Sequence, residues 1–244
     1  MKLLLLDIET SPNVAHVWGL FKQNIAISQL INSSYVMCWA AKWLGDNEVF
    51  YGSVRQGKKK MLQRIYKLLE EADAVCHYNG DRFDIPTLNK EFLLQGWAPP
   101  SSSQSVDLLK TARQKFKFPS NKLDYVAQAL GVGGKTKHAG HQLWIDCLAG
   151  NQVAWATMEE YNKNDVILLE KVYNKLLPWV KNHPNVSLYN GTPMACTHCG
   201  STNVIKRGYY YTNTVKYQRF HCKDCGSWGK SKSGETLKEG LSNV

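Results

Sequence analysis

Four consecutive leucines, Leu3–Leu6, run directly into Asp7 and Glu9. An apolar run so short and dense belongs to a strand buried in a core, and it obliges the rest of the chain to supply cover for it. The means are present: of the 244 residues 43% are hydrophobic and 20% charged, far from the profile of a disordered segment. At roughly 150 residues per domain, this length makes one large domain, or one domain with a small module attached. The leucine run is also the nearest approach to a membrane span or secretory signal. It stops at Asp7, far short of the roughly 18 to 20 apolar residues that cross a bilayer, so no membrane partner is expected.

Further strands are predicted at YVMCWAAKWL and NEVFYGS, joined by the turn residues of GDN. KKKMLQRIYKLLEEAD carries Met61, Leu62, Ile65, Leu68 and Leu69 at helical spacing and leads into the apolar run AVCHYNG. DIPTLNKEFLLQG reads as a helix with Pro86 in its first turn and Gly96 at its end, SVDLL as a short strand, and KLDYVAQALG as a helix closed by Gly131. The longest helix runs from Met158 to about Pro178, with Tyr161, Asp165, Leu168, Leu169, Val172 and Leu176 along one side. Strands first and then alternating with helices predict an α/β layered domain over residues 1–181. A linker (182–193), a cysteine-bearing module (194–229) and a flexible polar tail (230–244) follow.

Cys38, Cys76 and Cys147 lie in apolar segments and read as small core residues. Cys196, Cys199, Cys222 and Cys225 form two Cys-x-x-Cys pairs with 22 residues between them, the spacing of a four-cysteine zinc ribbon. Gly200 and Gly226 follow each pair at the tight-turn position, which favours one Zn2+ over a redox pair. His198 and His221 are alternative ligands or bystanders. A module this small cannot bury enough surface alone, so zinc would supply its folding energy. Between the knuckles Lys206, Arg207, Lys216 and Arg219 interleave with Tyr209, Tyr210, Tyr211, Tyr217 and Phe220. Cations that neutralise phosphates and rings that stack on bases suit a single-strand binder; a β-hairpin whose aromatics pack on the ribbon is the alternative. The segment resembles nucleic-acid-binding zinc ribbons of transposase and transcription proteins.

Thirty Lys and Arg face twenty Asp and Glu, a formal charge of +10, and the excess is local. Between Lys110 and His141 seven cations, among them Lys135, oppose only Asp124; from Cys196 onward eight oppose three acids. Both zones suit a polyanion such as nucleic acid, or a solvated basic face. His138 and His141 in KHAGH are candidates to touch phosphate or metal, or plain surface residues.

The acids form a second pattern. Asp7 and Glu9 stand two apart at the end of the first strand, so both side chains leave the same face. Asp84 begins a helix after a strand, where a carboxylate can also cap the helix N-terminus. Tyr161 and Asp165 lie one turn apart on the apolar side of the long helix, where an acid and a phenol need a reason to be inside. Four carboxylates converging would repel and protonate unless divalent cations lay among them, so the pattern is that of a hard-metal site. Two Mg2+ or Mn2+ ions there would activate a water and stabilise the leaving oxygen of a phosphodiester.

DIET, NGDRFDIP and YNKND, in that order, resemble the three exonuclease motifs of the DEDD superfamily of 3′-to-5′ exonucleases, in its tyrosine subgroup. The middle motif is most similar to that of the proofreading domains of family B DNA polymerases. The resemblance covers roughly residues 1 to 180 and implies an RNase H-like mixed sheet flanked by helices. It further implies that Asp7 bridges both metals, that Glu9 and Asp165 complete the site of the ion holding the nucleophilic water, and that Asp84 holds the second ion. Tyr161 would orient the water. Histidine-type relatives carry His five residues before the last Asp, where this chain has Glu160. Asn79 and Phe83 resemble groove-lining residues, though Asn79 equally closes a turn and Phe83 equally joins a core.

No polymerase follows the motifs, so the resemblance implies an enzyme that acts alone or is recruited by a polymerase or other replication protein. Free-standing exonucleases of this type are often encoded by phages or bacteria, which implies a cytoplasm, bacterial or of a phage-infected host. The expected substrate is single-stranded DNA with a 3′ end. Two rivals stand beside it: an exoribonuclease of the same chemistry, and a zinc-ribbon nucleic-acid-binding protein whose RNase H-like domain is only a scaffold.

Overall fold

The leucine run becomes the centre of a five-stranded sheet. In the computed structural model, which describes residues 1–136 and 139–236, it lies in β1 (Leu3–Thr10). A small antiparallel pair, β2 (Val14–Ala15) and β3 (Leu30–Asn32), comes next, then β4 (Val36–Trp43) and β5 (Phe50–Ser53). Helices and strands then alternate: α1 (Lys58–Glu71), β6 (Ala74–His77), α2 (Asp84–Leu94), β7 (Gln104–Asp107) and α3 (Leu108–Lys115). Three helices close the run: α4 (Leu123–Ala129), α5 (His141–Leu148) and α6 (Gln152–Leu176).

The sheet order is β5-β4-β1-β6-β7, with β4 and β5 antiparallel and β6 and β7 parallel along the chain of pairs from β1. This is the mixed α/β sheet flanked by helices that the sequence leads one to expect. On one face Leu4, Leu6 and Ile8 pack with Trp39 and Ala41 against Met61, Leu62 and Ile65 of α1 and Leu88 and Phe92 of α2. On the other, Met37 and Cys38 meet Leu143 and Cys147 of α5 and Trp155, Met158 and Tyr161 of α6. Two covered faces are what a strand of consecutive leucines demands.

Three local expectations are corrected. SVDLL is not all strand: Asp107 ends β7 and caps α3, its Oδ1 accepting from Leu109 N at 3.0 Å, so Leu108 and Leu109 are helical. The long helix starts at Gln152 rather than Met158, because Asn151 Oδ1 takes the N–H groups of Val153 and Ala154 at 2.9 and 3.1 Å. HQLWIDCL, which the sequence reading passed over, is α5.

The chain divides into two compact units, Lys2–Tyr173 and the part from Asn174 onward. In the second, a short helix α7 (Val186–Asn190), capped by Asn185, lies within the stretch expected as linker. A three-stranded sheet follows, β8 (Val204–Tyr211), β9 (Lys216–Cys222) and β10 (Trp228–Lys230), in the order β10-β9-β8. The β8–β9 hairpin slips register between Lys206 and Tyr209. The first residues of the expected tail are paired, Lys230 in β10 and Glu235 across from Lys216. The remainder of the tail, from residue 237, and His138 lie outside the described residues.

Candidate metal centres and nucleic-acid surface

β1 sends Asp7 and Glu9 from one face toward α6, and α6 returns Asp165. One oxygen from each of Asp7, Glu9 and Asp165 lies within 4.8 Å of the others. Asp84 is outside that set. Pairing of β1 with β6 ends at Leu5 and Cys76, and Asp84, on the first turn of α2, accepts from the Ile8 N–H beyond it at 3.1 Å. Its carboxylate thus ties α2 to β1, whereas the sequence alone left a local helix cap open.

Burial dominates the electrostatics. It pushes Glu9 up to about 8 and Asp84 up to about 7, and it raises Asp7 well above the ordinary carboxylate range, with Glu9, Asp84 and Asp165 adding to the effect on Asp7. The cation that relieves this cluster is Lys135. Its Nζ donates to Asp165 Oδ2 and, at 2.9 Å, to the Tyr161 hydroxyl. Burial works against the ammonium, but Asp165, Tyr161 and Asp7 more than offset it and hold Lys135 above its usual value. Tyr161 is buried, its pKa raised by desolvation and Asp165, and its ring meets Trp144 edge-on at 6.2 Å. It therefore keeps its proton while its oxygen accepts from Lys135.

Asn162 was missed by the sequence reading, although it stands beside Tyr161 in YNKND. It is fully buried, and its Nδ2 donates to Asp7 Oδ2 at 2.7 Å. Lys135 was noticed only as one charge in a basic zone. Its placement comes from α4: Asp124 Oδ1 accepts from Lys135 N at 2.7 Å, and a Cβ at Gly134 would lie 3.0 Å from that same oxygen.

Asn79 adopts a left-handed backbone (φ 73°) in the turn after β6, with its N–H on Asp107 Oδ1 at 3.0 Å. Gly80 N donates to His77 Nδ1, and a Cβ at Gly80 would lie 2.3 Å from the His77 ring, so only glycine fits. His77, Asp81 and Asp107 form a second group with metal-ligand spacing, but His77 and Asp107 are taken up in fastening this turn and Asp81 is paired with Lys110. Phe83 is exposed rather than core.

The four ribbon cysteines form the third group: Cys196 and Cys225 sulfurs are 3.6 Å apart, Cys199 and Cys222 3.7 Å. Tetrahedral Zn2+ with Zn–S of about 2.3 Å sets sulfurs about 3.8 Å apart, whereas a disulfide needs about 2.05 Å, so the set fits zinc. Burial raises Cys196 against backbone N–H groups of Cys199 and His198; at Cys222 burial is outweighed by those of Cys225 and Asp224 together with the Cys199 and Cys225 thiols, and its pKa is lowered. Such donors are what a thiolate requires. His198 Nε2 instead contacts Val180 O (2.9 Å), and His221 lies against Trp228.

On the hairpin, Lys216 sits 4.0 Å over Tyr209 and pairs with Glu235; Lys230 covers Tyr210 and Tyr217. Arg207 and Arg219 lie over Trp228, and Arg219 Nε donates to Arg207 O. Tyr211 is exposed, and no ion pair involves Lys206 among the described residues. Cations and rings therefore interleave in contact with one another, with Tyr209, Tyr210 and Tyr217 each under a lysine.

A family model for the RNase H superfamily matches residues 27–177. The match takes in Asp84, Lys135, Tyr161 and Asp165 and begins after Asp7 and Glu9. A solved structure of the family B DNA polymerase from the hyperthermophilic archaeon Pyrobaculum calidifontis is similar with a TM-score of 0.55 and 20% identity, over 72% of this chain. The likeness is one of fold, and it spans 24% of the polymerase chain. A search of curated protein sequences returns no match. Among the described residues no helix is long and apolar enough to cross a membrane.

Proposed function

The chain belongs to the RNase H superfamily, and on that premise we propose that it is a two-metal 3′-to-5′ exonuclease of the tyrosine-bearing DEDD type. Its substrate is DNA, with single strands preferred, and its zinc ribbon binds nucleic acid. The observation that carries the reading is the convergence of Asp7, Glu9 and Asp165 within 4.8 Å, beside the Tyr161 hydroxyl. Three carboxylates whose charges oppose one another, Asp165 buried and Asp7 and Glu9 half-buried, already drawing in a lysine ammonium, fit hard divalent cations.

Asp7, Glu9 and Asp165, with Asp84 at the edge of the set, would hold Mg2+ or Mn2+. When bound, the ions supply activation of a water and charge stabilisation at the leaving oxygen. The chain's own groups do the rest. Asn162 fixes one Asp7 oxygen and so orients the other. Tyr161 holds its proton available to orient a water, its oxygen being occupied by Lys135. Lys135, only partly buried, can also meet a phosphate oxygen. In the ribbon, Cys196, Cys199, Cys222 and Cys225 would hold one structural Zn2+ and present the basic, aromatic hairpin. The order of the three motifs supports the 3′ polarity, and the fold likeness to a DNA polymerase favours DNA.

The test is digestion of 5′-labelled DNA and RNA oligonucleotides with Mg2+ or Mn2+. A descending DNA ladder is expected. Immediate release of the labelled 5′ nucleotide, or cuts in a circular single strand, would refute exonuclease action from the 3′ end. A ladder with RNA alone would mean an exoribonuclease. Binding without cleavage would leave a scaffold carrying a zinc ribbon.

A further inference from the structure

After Thr10 the chain leaves the sheet and does not rejoin it until β4, and the excursion exposes large apolar side chains. Trp18 is 99% exposed, Leu20 and Ile27 87% and Phe21 85%. Scattered exposed residues need no explanation, but three large ones within four positions mark an interaction surface. The root of this arm is fastened. Ser11 N donates to Tyr35 O at 2.9 Å and Tyr35 N to Ser11 Oγ at 3.0 Å; Ser34 N donates to Asn13 Oδ1, and His16 N to Gln29 O. The root also lines a cavity of about 370 Å3, formed by Thr10, Ser11 and Pro12 with Gly140, His141 and Trp144. Thr10 adjoins Glu9 in sequence, and Trp144 packs on Tyr161, so two of the residues lining this cavity neighbour the carboxylate site.

Charge narrows the occupant. Between Glu9 and Asp46 the sequence has no acidic residue, while His16 and Lys22 lie in the arm and its other polar side chains are neutral amides and serine hydroxyls. Nothing there repels a polyanion. A lipid surface is a poorer fit, because interfacial segments pair their apolar face with several lysines or arginines and this arm has one. Rings with open faces, neutral amides and the absence of acids together match unpaired bases, whose faces stack on aromatics without regard to sequence.

We infer that the arm, residues 12–34, grips unpaired bases of the strand whose end lies at the carboxylates, by stacking on Trp18 and Phe21. The inference rests on the nuclease reading for the direction of the strand, but its binding test does not depend on cleavage. Both side chains are almost wholly exposed, so their replacement leaves the fold intact.

In the full, zinc-loaded chain carrying Asp7→Ala, the affinity for labelled single-stranded oligonucleotides is measured by anisotropy at raised salt, where ionic contacts of the ribbon count least. Three arm variants are compared: Trp18→Ala with Phe21→Ala, Trp18→Leu with Phe21→Leu, and Trp18→Phe with Phe21→Tyr. Each ring lost should weaken binding about 5-fold to 150-fold. The leucine pair should bind as poorly as the alanine pair, and the ring-keeping pair close to its parent. Equal binding by the alanine pair overturns the inference. So does rescue by leucine, which would mean an apolar protein contact, or a dimer in sedimentation that the alanine pair dissolves. Wild-type digestion run alongside separates the two readings. Cleavage with no arm effect defeats only the arm, and an arm effect without cleavage defeats only the nuclease.

Discussion

Loading the carboxylate site with metal should expel protons, and the number follows from the site's electrostatics. Without divalent cations, burial holds Glu9 at about 8 and Asp84 at about 7, with Asp7 also well above the ordinary range. At pH 7 a group titrating at about 8 is about nine-tenths protonated and one at about 7 about half, and the raised Asp7 acts in the same direction. The three titrate as a set, so the meaningful quantity is the total, at least about one proton per chain. Lys135 contributes none, because its pKa is raised and it stays charged wherever it goes. Calorimetric titration of the zinc-loaded protein with Mn2+ at pH 7, in buffers of different ionisation enthalpy, counts the protons directly. Binding heat that is independent of the buffer would refute the reasoning. It would mean that the carboxylates are already ionised and that the metal merely trades places with the lysine.

The same shifts fix a sign for stability. A carboxylate whose folded pKa is raised binds more protons folded than unfolded, so its penalty is absent below about pH 4 and grows as pH rises toward about 8. In buffer free of divalent cations but without chelator, so that zinc stays in place, the first unit should lose stability between those limits. Mn2+ should flatten the slope.

Asp7→Ala, Glu9→Ala, Asp84→Ala and Asp165→Ala should each abolish hydrolysis with the circular dichroism unchanged, while Tyr161→Phe should cost about 10-fold to 100-fold in turnover. Asn162→Ala removes a hydrogen bond to a charged group, worth about 1.5 to 3 kcal/mol, and should weaken Mn2+ binding roughly 10-fold to 100-fold in calorimetry. Colorimetric assay should find one zinc per chain, and Cys196→Ser should lower that content and expose the ribbon to proteolysis while residues 1–173 resist.

Much of this was legible in the sequence because local patterns carried it. Leu3–Leu6 demanded a covered strand, the Asp7 and Glu9 spacing put two acids on one face, and the cysteine spacing announced four converging sulfurs. What escaped depended on partners distant in sequence. For Asp84 the sequence left a helix cap open beside the metal role, and could not show that its carboxylate takes Ile8 N beyond the end of the β1–β6 pairing, a fact about strand length on another element. Helix α5 was hidden by its weak start after Gly140, and it is held by the sheet face that Met37 and Cys38 present. The aromatics between the knuckles were visible as residues, but not that a lysine would sit on each of Tyr209, Tyr210 and Tyr217.

Lys135 shows most clearly why a site cannot be read residue by residue. Three acids brought together by β1 and α6 would be unstable as anions in a largely desolvated place, and the cation that offsets them, Lys135, stands on neither element. The compensation comes from a loop whose path is set elsewhere. Asp124, the lone acid in the basic stretch, takes Lys135 N, and Gly134 lets the chain pass where a side chain would press on that carboxylate. A residue that looks like a stray negative charge in a basic stretch is therefore part of how the carboxylate cluster is neutralised. Removing Asp124 should disturb the site through Lys135 rather than through the basic surface, because its own carboxylate touches the loop and Gln128 and none of the acids it helps to balance.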